Sequence, residues 1–233
     1  MSDTCAINPP AKDETPKAVE TQTFEPGPGK HILFFGDPMC SWCWGFAPEL
    51  QKIAKLVEGR AQFEMVMGGL RPGTKEPWDG EMRKYIRHHW QEVADKSGQP
   101  FDFARFDDEH FVYDTEPGCR AVVCVRTIDA TKTLAMYEAL QRGFYAQNLN
   151  ITDPEILADL AQGVGIDRAQ FVSHYADPKV RQRVSFDFKR SQAFGVQGFP
   201  SVLCADDGQY GFLTMGYRSF DSLHSDLEDW LKG

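Results

Sequence analysis

A chain of 233 residues, 42% hydrophobic and 25% charged, has the make-up of a globular protein and room for one large domain or one domain carrying an insertion. No apolar run approaches the roughly 20 residues that span a bilayer, so no membrane anchor is expected. The net charge of −9 argues against nucleic acid, because phosphate binding needs clustered Lys and Arg.

Residues 1–28 are polar, rich in Pro, Thr, Glu and Lys, and lack an apolar core of signal-peptide length. Such a segment buries too little surface to order itself, so it is expected as a disordered leader or a short arm docked on the domain. The chain is accordingly expected in the cytoplasm. Its six cysteines, at 5, 40, 43, 119, 124 and 204, suit a reducing compartment better than a disulfide framework. Only Cys40 and Cys43 have a mechanistic spacing.

Lys30 to Gly36 is a short apolar run ended by Gly and Pro, which predicts a buried strand. Asp37-Pro38-Met39 reads as a turn. From Ser41 the positions Phe46, Ala47, Leu50, Ile53, Ala54 and Val57 recur at helical spacing, with Gly59 as the stop. Ala61 to Met67 alternates as a second strand. The C-x-x-C therefore sits at the helix start of a β-α-β unit.

Gly68 to Thr74 is a loop by composition. Asp79 caps a helix running to Lys96. Pro100 to Pro117 is aromatic and irregular, and Cys119 to Asn148 predicts one long helix with a break near Gly143. Asp153-Pro154 opens a helix toward Gly163, Asp167 with Gln170 forms a capping box, and Pro178 to Phe194 is a further helix. Ser201 to Cys204 and Tyr210 to Met215 predict two strands joined at Asp206-Asp207-Gly208. Ser219 to Lys232 closes the chain as an amphipathic helix. A β-α-β half and a β-β-α half thus flank a helical stretch, which is the thioredoxin plan interrupted by helices. The fold class is α/β: a thioredoxin-like domain from 30–70 and 195–233, with a helical insertion at 71–194.

A dithiol switch needs two thiols able to bridge, one of them readily ionised. A C-x-x-C loop lets the sulfurs meet with little backbone movement. The helix N-terminus, with unpaired amides and the positive dipole end, lowers a cysteine pKa from about 8.5 to roughly 3.5–7.5. Cys40 is accordingly the nucleophile and Cys43, one turn in, the resolving thiol. Ser41 and Trp42 bring no positive charge, so the helix and local hydrogen bonds must stabilise the thiolate. Trp42 is expected to be exposed to incoming disulfides. Asp37 either caps the active-site helix or helps move a proton from Cys43, with the capping or structural role favoured.

Phe199-Pro200, before the strand that begins at Ser201, is a candidate cis bond. In a thioredoxin arrangement it faces the cysteines and leaves the Phe199 backbone open to pair with an extended substrate. A zinc site would need two further ligands at suitable spacing, and no second C-x-x-C or H-x-x-x-H exists. No metal and no cofactor is expected. Cys119, Cys124 and Cys204 read as core thiols, Cys5 as incidental, and His88-His89 as a solvated or rim pair.

Asp37-Pro38-Met39-Cys40-Ser41-Trp42-Cys43-Trp44-Gly45, Gly69-Leu70-Arg71-Pro72-Gly73 and Gly195-Val196-Gln197-Gly198-Phe199-Pro200 resemble the DsbA-like family of thiol–disulfide oxidoreductases. The likeness is to its signal-less bacterial branch, described as protein-disulfide isomerases, and runs from about His31 to the C-terminus. It implies a thioredoxin fold with an inserted helical domain, a nucleophilic Cys40, a resolving Cys43 and a cis-Pro200. Tyr113-Asp114-Thr115-Glu116-Pro117, followed by Arg120, also looks like a family segment, without an assigned role. The chain departs from periplasmic DsbA enzymes in having no His between its cysteines and no visible export signal.

Three functions fit this reading. The first is a dithiol oxidoreductase or isomerase acting on protein thiols and disulfides or on small disulfides, with glutathione as a possible redox partner. The second is a glutathione-binding isomerase or transferase of the kappa-class or hydroxychromene-carboxylate isomerase type. Such enzymes generally lack the second cysteine, so Cys43 favours redox chemistry. The third is a redox-sensitive client-binding module. Nothing in the sequence points to an oligomeric state.

Overall fold

The computed structural model describes residues 5–6 and 26–233, so most of the expected leader lies outside the described residues. A four-stranded sheet has the order β3-β2-β5-β6, formed by Lys30–Gly36 (β2), Gln62–Met67 (β3), Ser201–Asp206 (β5) and Gln209–Met215 (β6). β2 runs parallel to β3 (Phe34 opposite Met65) and antiparallel to β5 (Phe34 opposite Val202). β5 and β6 form a hairpin whose turn residues, Asp207 and Gly208, both take positive φ. A two-residue strand, Cys5–Ala6 (β1), pairs with Gly198–Phe199 (β4).

The unbroken apolar run of β2 follows from its cover on both faces. Successive side chains point to opposite sides of a strand. Phe34 stacks with Phe46 of α1 (Ser41–Val57) at 6.4 Å and meets Tyr137 of α4 (Thr133–Ala146) edge-on at 5.6 Å. Phe35, on the other face, meets Phe194 at 5.7 Å. Phe194 follows α7 (Pro178–Ala193), the helix that also packs on β3. The C-terminal helix α8 (Phe220–Lys232) packs against α1 through its Leu223 and Leu227 face.

Between β3 and β4 lie α2 (Gly80–Ser97), α3 (Glu116–Ile128), α4, α5 (Pro154–Gly163), α6 (Arg168–Tyr175) and α7. Asp79, Asp153, Asp167 and Asp177 each accept a backbone N–H from the first turn of the helix that follows, so most starts lie where the caps predict. The break in the long stretch differs. It falls at 129–132, where Asp129 accepts from the Thr131 amide at 2.9 Å and hydroxyl at 2.6 Å and turns the chain. Gly143 stays helical inside α4, where an added Cβ would press on Leu149 at 3.3 Å.

Trp44 joins the two parts. Its ring stacks on Tyr145 at 6.2 Å, and its indole N–H donates to the Pro100 carbonyl at 3.0 Å. Tyr145 in turn meets Trp90 at 4.9 Å and Phe101 at 5.3 Å, so the aromatic stretch after Pro100 is the core of the insertion. Pro48 lies inside α1 and has no N–H for the Trp44 carbonyl one turn back. The Gln99 side-chain amide supplies the missing donor at 3.0 Å.

Candidate active site

Cys40 is the N-cap residue of α1, with extended backbone (φ −88, ψ 117), and Cys43 lies within the first turn. No acidic residue occupies that turn, so nothing there opposes the positive end of the helix. The turn before it is held from three sides. The Cys40 amide donates to the Asp37 carbonyl at 3.0 Å, Tyr113 donates its hydroxyl to the Met39 carbonyl, and the Asp37 carboxylate accepts from the Met39 amide at 2.8 Å.

The second Asp37 oxygen accepts from the Leu70 amide at 2.7 Å and from the Cys119 thiol at 3.4 Å. Asp37 therefore does not cap α1, as its place in the sequence suggested, because it sits three residues before the cap. It ties the cysteine turn to the loop after β3. Burial pushes its carboxyl above the usual range, opposed by the amides of Leu70 and Met39 and by Thr115 and Cys119. Thr115 extends the tie, accepting from the Arg71 amide at 3.0 Å, and the Asp114 carboxylate accepts from the Gly73 amide at 2.7 Å. The segment Tyr113 to Thr115 is thus a brace for both the cysteine turn and the Gly-rich loop.

The Phe199-Pro200 bond is cis. The Cys40 thiol donates to the Phe199 carbonyl at 3.6 Å, which brings together the two sequence motifs expected to meet. The Phe199 ring is buried and lies over Gly68, where an added Cβ would come within 1.9 Å of it. Only glycine leaves that seat open. What Phe199 offers a substrate is consequently backbone, not ring.

Trp42 corrects the expectation of an exposed side chain: it is 6% exposed, its ring 5.9 Å from that of Tyr217 in the loop between β6 and α8. Ser41 is buried as well. The polar partner of Cys43 is Tyr137, which lies 100 residues from Asp37 in sequence and donates to its carbonyl at 3.2 Å. Burial, with the neighbouring cysteines adding to it, pushes the Tyr137 hydroxyl well up. Asp37 does not touch Cys43 with its carboxylate; the hydroxyl beside that thiol belongs to Tyr137. No local pattern announces Tyr137, which reads as a helical core residue.

The other described thiols are chemically quiet. Burial, then the charge of Asp37, pushes Cys119 well above the ordinary thiol range, and burial takes Cys124 and Cys204 up to about 12. His88 and His89 pair with Glu92 on the outer part of α2, away from the cysteines.

Comparison with known proteins agrees with this geometry. The family described as a DSBA-like thioredoxin domain matches residues 31–228. A crystal structure of a candidate protein disulfide isomerase from Nitrosomonas europaea superposes with a TM-score of 0.83 at 35% identity, covering 88% of this chain and 98% of that one. The cytosolic disulfide reductase DsbM from Pseudomonas aeruginosa superposes with a TM-score of 0.72 at 26% identity, covering 87% of this chain and 98% of DsbM, and a further DsbM structure contains GSH. The ClpXP adapter protein SpxH from Halalkalibacterium halodurans is 21% identical over 86% of this chain and 67% of its own length. With a C-x-x-C at a helix N-terminus facing a cis-proline, the chain belongs to the DSBA-like thioredoxin domain family, whose fold serves thiol–disulfide oxidoreductases.

Proposed function

We propose that the chain is a thiol–disulfide oxidoreductase that works through Cys40 and Cys43 on protein thiols or on glutathione, in the cytoplasm. The observation that carries this reading is the Cys40 thiol at the N-terminus of α1, 3.6 Å from the carbonyl before a cis-proline. In the reductive direction the Cys40 thiolate attacks a substrate disulfide and one substrate sulfur leaves. Cys43 then attacks Cys40 in the mixed disulfide, the second substrate sulfur leaves, and the pair is oxidised. The Tyr137 hydroxyl beside Cys43 stabilises the thiolate that the resolving step requires.

The likeness to DsbM supports reduction as the direction, glutathione as the recycling thiol and the cytoplasm as the compartment. Isomerisation uses the same first step and differs in letting the substrate resolve itself. The likeness to an SpxH adapter favours a second reading, a client-binding module whose grip depends on the state of the pair.

Single-turnover trapping tests the assignment. With an oxidised model peptide, Cys43→Ala is expected to accumulate a mixed disulfide on Cys40, wild type to release the reduced peptide, and Cys40→Ala to form no adduct. Adducts on Cys119 or Cys204 in place of Cys40 would end the proposal. Binding of the peptide without any turnover by wild type would leave the client-binding reading.

A further inference from the structure

The loop after β3 brings a cation to the cysteine turn. β2 and β3 run parallel, with Gly36 opposite Met67, so both chains leave the same end of the sheet. One leads to Cys40 and the other to Arg71. The Gly68 amide donates to the Gly36 carbonyl at 2.8 Å, and the Leu70 amide to the Asp37 carboxylate at 2.7 Å, which holds the two segments side by side. In open α/β sheets ligands bind outside this carboxyl end of the strands.

The Arg71 backbone is clamped. Its amide donates to the Thr115 hydroxyl at 3.0 Å, and its carbonyl accepts from the Thr115 amide at 3.2 Å and the Thr74 hydroxyl at 3.1 Å. Its guanidinium lies over the Tyr113 ring, 5.8 Å from the centroid, and the Tyr113 hydroxyl donates to the carbonyl of Met39, the residue before Cys40. Arg120, Arg126 and Arg190 each hold a carboxylate, of Glu116, Asp187 and Glu64. Among the described residues Arg71 holds none. A guanidinium set one ring away from the cysteine turn, without a carboxylate of its own, is matched in shape and charge to a substrate carboxylate.

We infer that Arg71 is a substrate-binding residue, and that it takes the glycine carboxylate of glutathione while Cys40 engages the glutathione sulfur. The inference rests on the Cys40–Cys43 reading given above and names the small thiol that the pair exchanges with. The glycine carboxylate stands one residue beyond the reacting cysteine, about 3.5 Å further along the main chain. The γ-glutamyl carboxylate has an ammonium beside it, which would meet the guanidinium with like charge. The net charge of −9 repels an anion, so a preference for one needs a local cation. In the exchange the Cys40 thiolate attacks one sulfur of oxidised glutathione. The Cys40–glutathione bond forms, the glutathione disulfide breaks, and the second half leaves as the thiolate, with no outside oxidant or reductant.

The test compares oxidised glutathione with its diethyl ester, in which both glycine carboxylates are capped. In Cys43→Ala, which stops at the mixed disulfide, adduct formation on Cys40 is followed by mass. Oxidised glutathione is expected to react roughly tenfold faster than the ester, the order of one hydrogen bond to a charged group. Adding Arg71→Gln should abolish that preference, and the ratio of the two rates within one variant cancels any change in Cys40 itself. Where Arg71→Gln does not fold, salt supplies the second arm. Raising ionic strength should lower the ratio, whereas repulsion by the net charge alone would make it rise. Equal rates with Arg71 in place, a preference that survives Arg71→Gln, or a ratio that rises with salt overturns the inference. A Cys40 that still reacts with the ester then leaves the oxidoreductase reading standing, and no adduct from either disulfide ends both.

Discussion

Two buried aspartates brace neighbouring residues of one stretch of chain, and they are held in different ways. Asp187 of α7 accepts from the Met67 amide at 3.0 Å, where β3 ends, and Asp37 accepts from the Leu70 amide at 2.7 Å, where the loop begins. Asp187 is gripped by the Arg126 guanidinium through two bonds, at 2.9 and 3.0 Å. Burial pushes the Asp187 carboxyl up as it does that of Asp37, but at Asp187 the charge and hydrogen bonds of Arg126 oppose it, and the same contacts raise the pKa of Arg126. Asp37 has amides, a hydroxyl and a thiol around it, and burial raises its pKa. A paired charge is a structural rivet. A carboxyl held by neutral donors beside a redox turn is sensitive to its surroundings, and that is the side on which the cysteines lie.

The comparison can be broken by substitution. Asp187→Ala leaves the Arg126 cation buried without its partner and is expected to cost about 3 kcal/mol or more, read by denaturant unfolding. The thiol exchange rate of the folded fraction should stay at the wild-type value. Asp37→Ala strips the Met39 and Leu70 amides of their acceptor and is expected to cost about 2 kcal/mol. Here the rate of mixed-disulfide formation at Cys40 should fall too, because the turn that carries it loses its tie. Equal effects of the two variants on that rate would erase the distinction.

Titration sharpens it. Asp37 has a folded pKa raised above its ordinary value of 3.8, so the neutral carboxyl is the form that folding favours. Its contribution to stability is fully present below 3.8 and is lost as pH rises through the folded pKa. Wild type should therefore lose stability relative to Asp37→Asn between those two pH values, measured as paired unfolding curves across the acid range. A smaller effect is expected of Tyr137→Phe, about 1 kcal/mol for the lost hydroxyl. In stopped-flow traces it should slow resolution by Cys43 several-fold and leave the attack by Cys40 unchanged. The smallest belongs to the exposed ion pairs of Arg168 with Glu155 and Asp159, where Arg168→Ala should leave the unfolding midpoint unchanged.

What could be read in the sequence is what is decided locally. The β2 run, the C-x-x-C at a helix start and the Asp caps at 79, 153 and 167 each depend on a few adjacent residues, and the strands and helices lie where those signals put them. The misplaced break shows the limit: it was expected near Gly143, yet Asp129 makes the turn that ends the helix. Trp42 looked exposed because its cover, Tyr217, comes from the far end of the chain. For Asp37 the sequence left a capping or a structural role open, because the partners that decide it, Leu70 and Cys119, are 33 and 82 residues away. The strand Cys5–Ala6 was not foreseen, since two residues have no periodicity to read.

The central claim is that Cys40 and Cys43 form one reversible two-electron switch. Equilibrating the protein in glutathione buffers of graded potential, then counting alkylated thiols by mass, tests it most directly. The expected result is a single reversible transition in which both cysteines lose reactivity together and which vanishes in Cys40→Ala and in Cys43→Ala. Two thiols that alkylate independently at every potential, and never bridge, would contradict the account.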